Sequence, residues 1–461
     1  MHIHNKHNEC GIGVRLGLAV TLFGVSMACL GAGAQDQAKG FIEESRLNVL
    51  NRNFYFNRDM RHGVSNAAGR NGGKPVDQRN GYAEEWAQAI MAFYTSGFTQ
   101  GTLGFGLDAH AFLGLKLDSG GGRVGTTLLP IDGDGYPEDD YSEVGAALKL
   151  RVSNTVLKYG SQLPTAPIFY VSTVRLIPAT ATGWTLSMKE IDDLTIDYGR
   201  FTSQSGVNSS NSDDDLTTDY SVGIVGKRVD YLGASYKVSD RLDVSVYGSE
   251  FKDVWRQYYG YARYVLPITD EQALTFTLNA YRTHDTGKRL GDEIDNNAWS
   301  LAANYNIGAH GFMLGYQQVN GDEPNDWVGF GSMGGNVTFT NAAQYSTFAE
   351  ANERSWKVRY DLDMAGYGIP GLRFMASYTR GDDMDNSGSS NRFYTARHVY
   401  DPAKDNKHWE RNLEVSYVVQ SGAAKDLSLR VRHASHRGTT GIRHQDIDEI
   451  RIITEYPLDI F

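Results

Sequence analysis

The chain has 461 residues, a formal net charge of −11, and 27 tyrosines and 51 glycines against only 11 prolines. The acidic balance argues against a nucleic-acid partner. Cys10 and Cys29 both fall near the N-terminus, so the remainder has neither a disulfide nor thiol chemistry.

Lys6 and Arg15 precede an apolar stretch from Leu16 to Leu30, and Ala32-Gly33-Ala34 offers a small-residue cleavage site. This reads as a secretory signal peptide over 1–34, with residues 35–461 as the mature domain. The stretch is short for a membrane span of ~20 apolar residues. Cys29 raises the alternative of a lipoprotein, but Ser26-Met27-Ala28 lacks the usual leucine. An exported chain without disulfides must be held by other means, and a closed hydrogen-bonded barrel is one.

Gly101 to Asp118 is the first clear strand. Leu103, Phe105, Leu107, Leu113, Leu115 and Leu117 alternate with Thr102, Asp108, His110 and Lys116. A period of two gives one apolar and one polar face. The run is far longer than the ~5–6 residues of a soluble strand, and suits a membrane barrel with lipid outside and water inside. Val144–Val152, Leu274–Ala280, Trp299–Ile307, Trp356–Leu362, Leu372–Tyr378, Leu413–Val419 and Leu427–Val431 repeat the pattern. Tyr94, Tyr159, Tyr198, Trp255, Tyr258, Tyr259, Tyr261 and Tyr264 cluster at strand ends, as in an interfacial girdle.

Short connections, such as Ser153-Asn154-Thr155 and Gly308-Ala309-His310, alternate with long polar ones, including Gln204–Asp219, Thr283–Asn297, Asn320–Arg354 and Gly381–Glu410. This is the outer-membrane pattern of periplasmic turns and external loops. At roughly 24 residues per strand the domain holds about 18 strands, enough for an aqueous lumen. The fold class expected is an all-β transmembrane antiparallel barrel.

Catalytic and cofactor motifs are scarce. There is no G-x-S-x-G, H-E-x-x-H or Walker loop. Asp132-Gly133-Asp134 with Glu143 mimics part of a calcium loop, but Tyr136 and Pro137 occupy a ligand and the glycine position, so a solvated acidic loop is the better reading. Gly104-Phe105-Gly106 lies inside a strand and opens no helix. No cofactor and no metal are expected.

The arginines carry more. In Leu427–Ala434, Leu427, Leu429 and Val431 share one face while Arg430 and Arg432 share the other. That second face must be the lumen, because a lipid-facing arginine near the midplane costs ~2–4 kcal/mol. Arg451 lies on the last strand, and barrel closure brings the N-terminal Arg52, Arg58 and Arg79 toward it. Two such arginines repel unless an anion passes or counter-charges sit close. A transport path and a salt-bridge network with Glu414 or Glu449 both remain open.

The chain resembles the OprD family of pseudomonad outer-membrane porins, also called outer-membrane carboxylate channels, over essentially all of residues 40–461. The resemblance rests on G-F-I-E-E-S (Gly40–Ser45), R-N-F-Y-F-N-R-D (Arg52–Asp59), G-T-L-G-F-G-L-D-A (Gly101–Ala109), Q-L-P-T-A-P (Gln162–Pro167), S-W-K-V-R-Y-D-L (Ser355–Leu362) and V-V-Q-S-G-A-A-K-D-L (Val418–Leu427). It implies an 18-stranded barrel of monomer size, sometimes trimeric, narrowed by inward-folded loops, in the outer membrane of a Gram-negative bacterium. Such barrels pass small carboxylate-bearing solutes, amino acids or short peptides, along a basic ladder. Carried over, the ladder falls on Arg58, Arg79, Arg175, Arg430, Arg432 and Arg451. A lysine of some members is Ser416 here. The eyelet Q-Y-S-D becomes Gln344, Tyr345, Ser346 and Thr347, and an eyelet aromatic matches Trp327. Losing the aspartate weakens the expected preference for basic amino acids.

Two other classes remain as alternatives. An outer-membrane barrel enzyme of lipase or protease type would need a Ser/His/Asp set. His110, His284, His310, His398, His408 and His436 are present without a nucleophile motif. A structural or adhesion barrel would have a plugged lumen.

Overall fold

The computed structural model describes residues 33–221, 223–330, 338–398, 400–401, 403–439 and 444–461. Most of the export segment expected over 1–34, with both cysteines, lies outside the described residues.

Eighteen strands form one antiparallel sheet that closes on itself. Closure joins the first strand, Arg46–Met60, to the last, Ile447–Asp459, in a register that sets Asn48 against Asp459 and Arg58 against Glu449. Closure removes the sheet edges, so every strand backbone finds a partner without water. A 15-residue strand such as Gly104–Asp118 is about 50 Å long at ~3.3 Å per residue, enough to cross the hydrocarbon at a tilt.

The alternation expected of this strand is present. Phe105, Leu113 and Leu117 are exposed, while Gly106, His110, Phe112 and Gly114 are buried. Leu103, also exposed, stands just before the strand. Leu148, Val246, Leu301, Leu314, Val358, Leu413 and Leu429 continue the outward apolar surface. No described helix is long and apolar enough to cross a membrane; the strands do so. One backbone position shows how the inner face is packed: a Cβ at Gly233 would lie 2.0 Å from the Tyr247 ring on the paired strand.

Connections at one end are tight, as at 153–154, 192–193, 240–241, 270–271 and 308–309. At the other end they are mostly long: 61–81, 119–139, 163–179, 206–228, 321–353 and 383–407. Segment 252–254 is a short exception. Several long loops turn inward. Loop 163–179 carries a small hairpin, Thr165–Ala166 on Phe169–Tyr170. A second small sheet, of Leu216–Thr218, Val225–Gly226 and Val328–Gly329, joins loops 206–228 and 321–353. The buried apolar core therefore lies inside the barrel, between loops and wall: Leu128, Leu129, Leu176 and Ile177 pack on Phe54, Phe56, Met91 and Phe112.

Candidate functional site

The seam where the first and last strands meet builds the site. Phe54, Phe56 and Arg58 are two residues apart, so all three face the lumen. Register places Phe56 opposite Arg451 and Arg58 opposite Glu449. It also places Arg432 opposite Arg451, and Glu414 opposite Arg432. One row of inward side chains thus runs across four strands.

Three guanidiniums converge on one ring. Arg451, Arg58 and Arg175 lie 4.5, 5.1 and 5.7 Å from the centre of Phe56. Arg58 also lies 4.8 Å from the Tyr345 ring. A ring face attracts cations, and the attraction grows where water is excluded. Glu449 supplies the counter-charge, 2.9 Å from Arg58 and 2.6 Å from Arg451. One row away Glu414 takes Arg432 at 2.8 Å and Arg430 at 3.5 Å. The salt-bridge network expected with Glu414 or Glu449 is therefore real, but it does not balance. Four guanidiniums share these two carboxylates, and a fifth beside them, Arg175, is held by Thr126 and Thr127 instead. Arg430 is the most open, with its side chain 47 % exposed.

Loop packing puts Arg175 in place. Arg52, held by Glu455 at 2.7 Å, donates to the carbonyls of Arg175 and Leu176 at 2.6 and 3.1 Å. Arg175 Nε donates to the Thr126 carbonyl at 3.0 Å and to Thr127 Oγ1 at 2.5 Å. Loop 119–139 is in turn fixed by buried Glu85, which accepts from the Thr126 hydroxyl and from the backbone N–H groups of Leu128 and Gly125 at 3.0 and 3.2 Å. Burial, reinforced by Arg451 and Arg58, pulls the Arg175 guanidinium down to about 9, which leaves it charged at neutral pH.

The remaining expected residues are placed differently. Arg79 is half-buried on loop 61–81 and donates to the Lys74 carbonyl at 2.9 Å. Tyr345 roofs Arg58, and its backbone N–H donates to Glu410 at 3.0 Å. Ser346 is buried, with its N–H on Glu410 at 2.8 Å. Thr347 is buried and hydrogen-bonded to the Tyr220 hydroxyl. Trp327 is buried edge-on against Tyr220, with ring centres 5.1 Å apart.

Asp326 and Glu350, two carboxylates close to this loop, are both engaged. Asp326 accepts backbone N–H groups from Tyr220 and Trp327 at 2.8 Å and from Asp219 and Ser221 at 3.2 Å, with the Tyr394 hydroxyl at 3.1 Å. Glu350 meets His398 at 2.7 Å, His444 at 3.4 Å and the Tyr400 hydroxyl. Burial alone would raise the Glu350 carboxyl, but His398 and then His444 hold it well below the usual range. His408 meets Glu353 at 2.8 Å and His436 at 2.8 Å. His398, His408 and His436 therefore belong to loop anchorage.

The acidic loop does not gather into a cation site. Asp132 Oδ1 accepts its own turn's N–H groups, from Asp134 at 2.9 Å and Tyr136 at 2.8 Å. Glu143 faces the lumen side and accepts from Thr180 at 2.7 Å and from Ser205. Among the described residues no group of three histidines, cysteines or carboxylates has metal-binding geometry.

Sequence reasoning missed Phe56 as the organiser of the guanidiniums. The signal was present, since Phe54, Phe56 and Arg58 alternate with polar Asn53 and Asn57.

The family model for outer membrane porins of the OprD family matches residues 39–460. Porin D of Pseudomonas aeruginosa is 43% identical over 452 residues, spanning 96% of this chain and 98% of the relative. The crystal structure of Pseudomonas aeruginosa OprD superposes with a TM-score of 0.79 at 41% identity, covering 94% of this chain and 100% of that one. The structure of Pseudomonas aeruginosa OpdK with vanillate has a TM-score of 0.79 at 33% identity, covering 91% and 100%.

Proposed function

Because the chain belongs to the OprD family of outer-membrane porins, we propose that it is a substrate-selective channel for small carboxylate-bearing solutes, amino acids or short peptides. The observation that carries this reading is the unbalanced inner wall, where four guanidiniums share Glu414 and Glu449 and Arg175 adds a fifth beside them. A permeating carboxylate replaces its water with charge-assisted, bidentate hydrogen bonds from this wall. Arg432 and Arg430 lie two residues apart, about 7 Å along the strand, so one carboxylate passes from rung to rung without full rehydration. Sharing Glu414 keeps each rung weak enough to release its solute. The OpdK structure, which holds a carboxylate, vanillate, supports the same solute class for a related barrel.

The test is uptake into liposomes by the Arg430→Ala/Arg432→Ala double variant. Neither side chain packs the barrel wall, so the variant keeps its folded, heat-modifiable form. Carboxylate uptake is expected to fall about tenfold, the scale of one lost charge-assisted contact, while a neutral sugar of equal size passes at the parent rate. Parental carboxylate uptake by the folded variant overturns the proposal. Single-channel recordings of the parent separate it from a plugged barrel, which would carry no current.

A further inference from the structure

We propose that the outer wall of the barrel binds one phosphate-bearing lipid of the outer leaflet, with its headgroup around Trp409 and an acyl chain in a groove beside Arg411. The head of the site lies on strands Arg354–Asp363, Leu372–Asp382, His408–Val418 and Ser428–Gly438. Binding there depends on the wall facing lipid and on nothing that passes through the lumen.

Alternation fixes what faces outward. Glu410 and Asn412 are buried on the inner face of their strand, so Trp409, Arg411 and Leu413 point out. A groove of about 710 Å³ runs over this outer face between two rows of side chains. Register sets Leu413, Ala376, Tyr360, Phe312, Tyr305 and Leu274 in one row across six strands. Arg411, Tyr378, Val358, Leu314 and Ala303 form the row beside it. Ala303 and Ala376, small among larger neighbours, leave the hollow. Five strand spacings make the groove about 24 Å long. That exceeds the ~15 Å depth of one hydrocarbon leaflet, so an extended acyl chain fits along it.

Arg411 stands at the long-loop end of its strand, beside an aromatic belt. The Tyr378 ring centre lies 5.5 Å from that of Trp356 and 5.9 Å from that of Trp409, which marks the headgroup level. Arg411 is exposed, and among the described residues it forms no ion pair; its Nη2 donates to Ser435 Oγ at 3.4 Å. A lipid-facing arginine is costly unless it meets an anion, and at this level the membrane supplies a lipid phosphate. Two residues nearer the loops, register sets Trp409 between Arg380 and Arg437. With Lys407 they line a space of about 420 Å³ that no described carboxylate lines. Asp382, Asp405 and Asp448 brace the three cations from outside it, at 2.8, 2.8 and 2.9 Å. Guanidiniums held in this way suit a phosphate, which they bind bidentately. A chain that moves from bilayer to groove gains no hydrophobic energy. The phosphate therefore selects the lipid, and the groove adds packing and orientation.

The experiment is native mass spectrometry of the full-length barrel, titrated with lipid in detergent micelles. The probes are diphosphoryl lipid A, dioleoylphosphatidic acid and dioleoylglycerol; the last two differ only in the phosphate. The parent is expected to bind lipid A and the phosphatidic acid about tenfold more tightly than dioleoylglycerol, the scale of one charge-assisted contact. Arg411→Gln should lower binding of both phosphorylated lipids about tenfold and leave dioleoylglycerol unchanged. Ala376→Leu fills the groove and should weaken all three. Equal binding of phosphatidic acid and dioleoylglycerol by the parent overturns the site, as does parental lipid A binding by either variant. Displacement of bound lipid by excess inorganic phosphate would put a free anion in the pocket, and also overturns it. Should Arg411→Gln not assemble, Arg380→Gln with the same probes decides.

Discussion

Two regions of this barrel bury charge in opposite ways. On the seam wall, Arg58, Arg175, Arg430, Arg432 and Arg451 outnumber Glu414 and Glu449, and the positive surplus faces the lumen. In the loop bundle that leans on this wall, three buried acids are matched. Asp326 is ringed by backbone N–H groups, Glu350 by His398, His444 and Tyr400, and Glu353 by His408. A matched buried charge holds structure, because removing its partner strands the other. A surplus charge keeps part of its binding capacity for something that is not protein. The difference separates the groups that shape the passage from those that greet the solute.

The largest expected effect comes from breaking a matched charge. Asp326→Ala removes one acceptor shared by four N–H groups of loops 206–228 and 321–353. Loop packing should weaken by about 3–5 kcal/mol, the scale for disrupting a buried charged centre. The barrel wall keeps its strand ladder and stays folded. The expected outcome is a larger, noisier single-channel conductance and loops open to trypsin. Parental conductance with protease-resistant loops would show that Asp326 is not a latch, and the comparison would lose its second half.

A milder effect follows from acid. Glu350 has its carboxyl held below the ordinary 4.5 by His398 and His444, against burial. A depressed carboxyl stabilises the fold above its unfolded value and loses that contribution as pH falls through the folded one. The loop latch should therefore weaken as pH falls below about pH 5. Conductance should rise in acid, and Glu350→Gln should abolish the acid rise. A rise at pH 6–7 in the parent would mean that another group controls the loop.

Much of this was legible in the sequence, and for physical reasons. The strand period showed in Leu103–Leu117 because lipid and water impose opposite demands on successive residues. The lumen side of Arg430 and Arg432 followed from the cost of placing arginine in lipid. What stayed hidden depends on loops, which have no period. Arg175 came only through the family resemblance, since its position is set by Arg52, Thr126 and Thr127, distant in sequence. Arg79 is likewise placed in the ladder only by the resemblance, because nothing local says whether loop 61–81 folds in. Nor could the chain show which of its 55 acidic residues would be ringed by loop groups, like Asp326.

The smallest effect sharpens the comparison at the loop that lost its acid. Thr347 offers only a hydroxyl, and that hydroxyl is committed to Tyr220. Asp326 and Glu350, the carboxylates able to take over the task, are buried and matched. The parent should therefore favour lysine or arginine only weakly over neutral amino acids in liposome uptake. Thr347→Asp adds a carboxylate beside Tyr220. One opposite charge at 4 Å is worth up to about 4 kcal/mol at an effective dielectric of ~20. Desolvating the solute cation takes back most of that, leaving roughly 1 kcal/mol, or about fivefold in relative uptake. A strong basic preference already present in the parent, and unmoved by Thr347→Asp, would mean that a lumen carboxylate outside the loop bundle sets it.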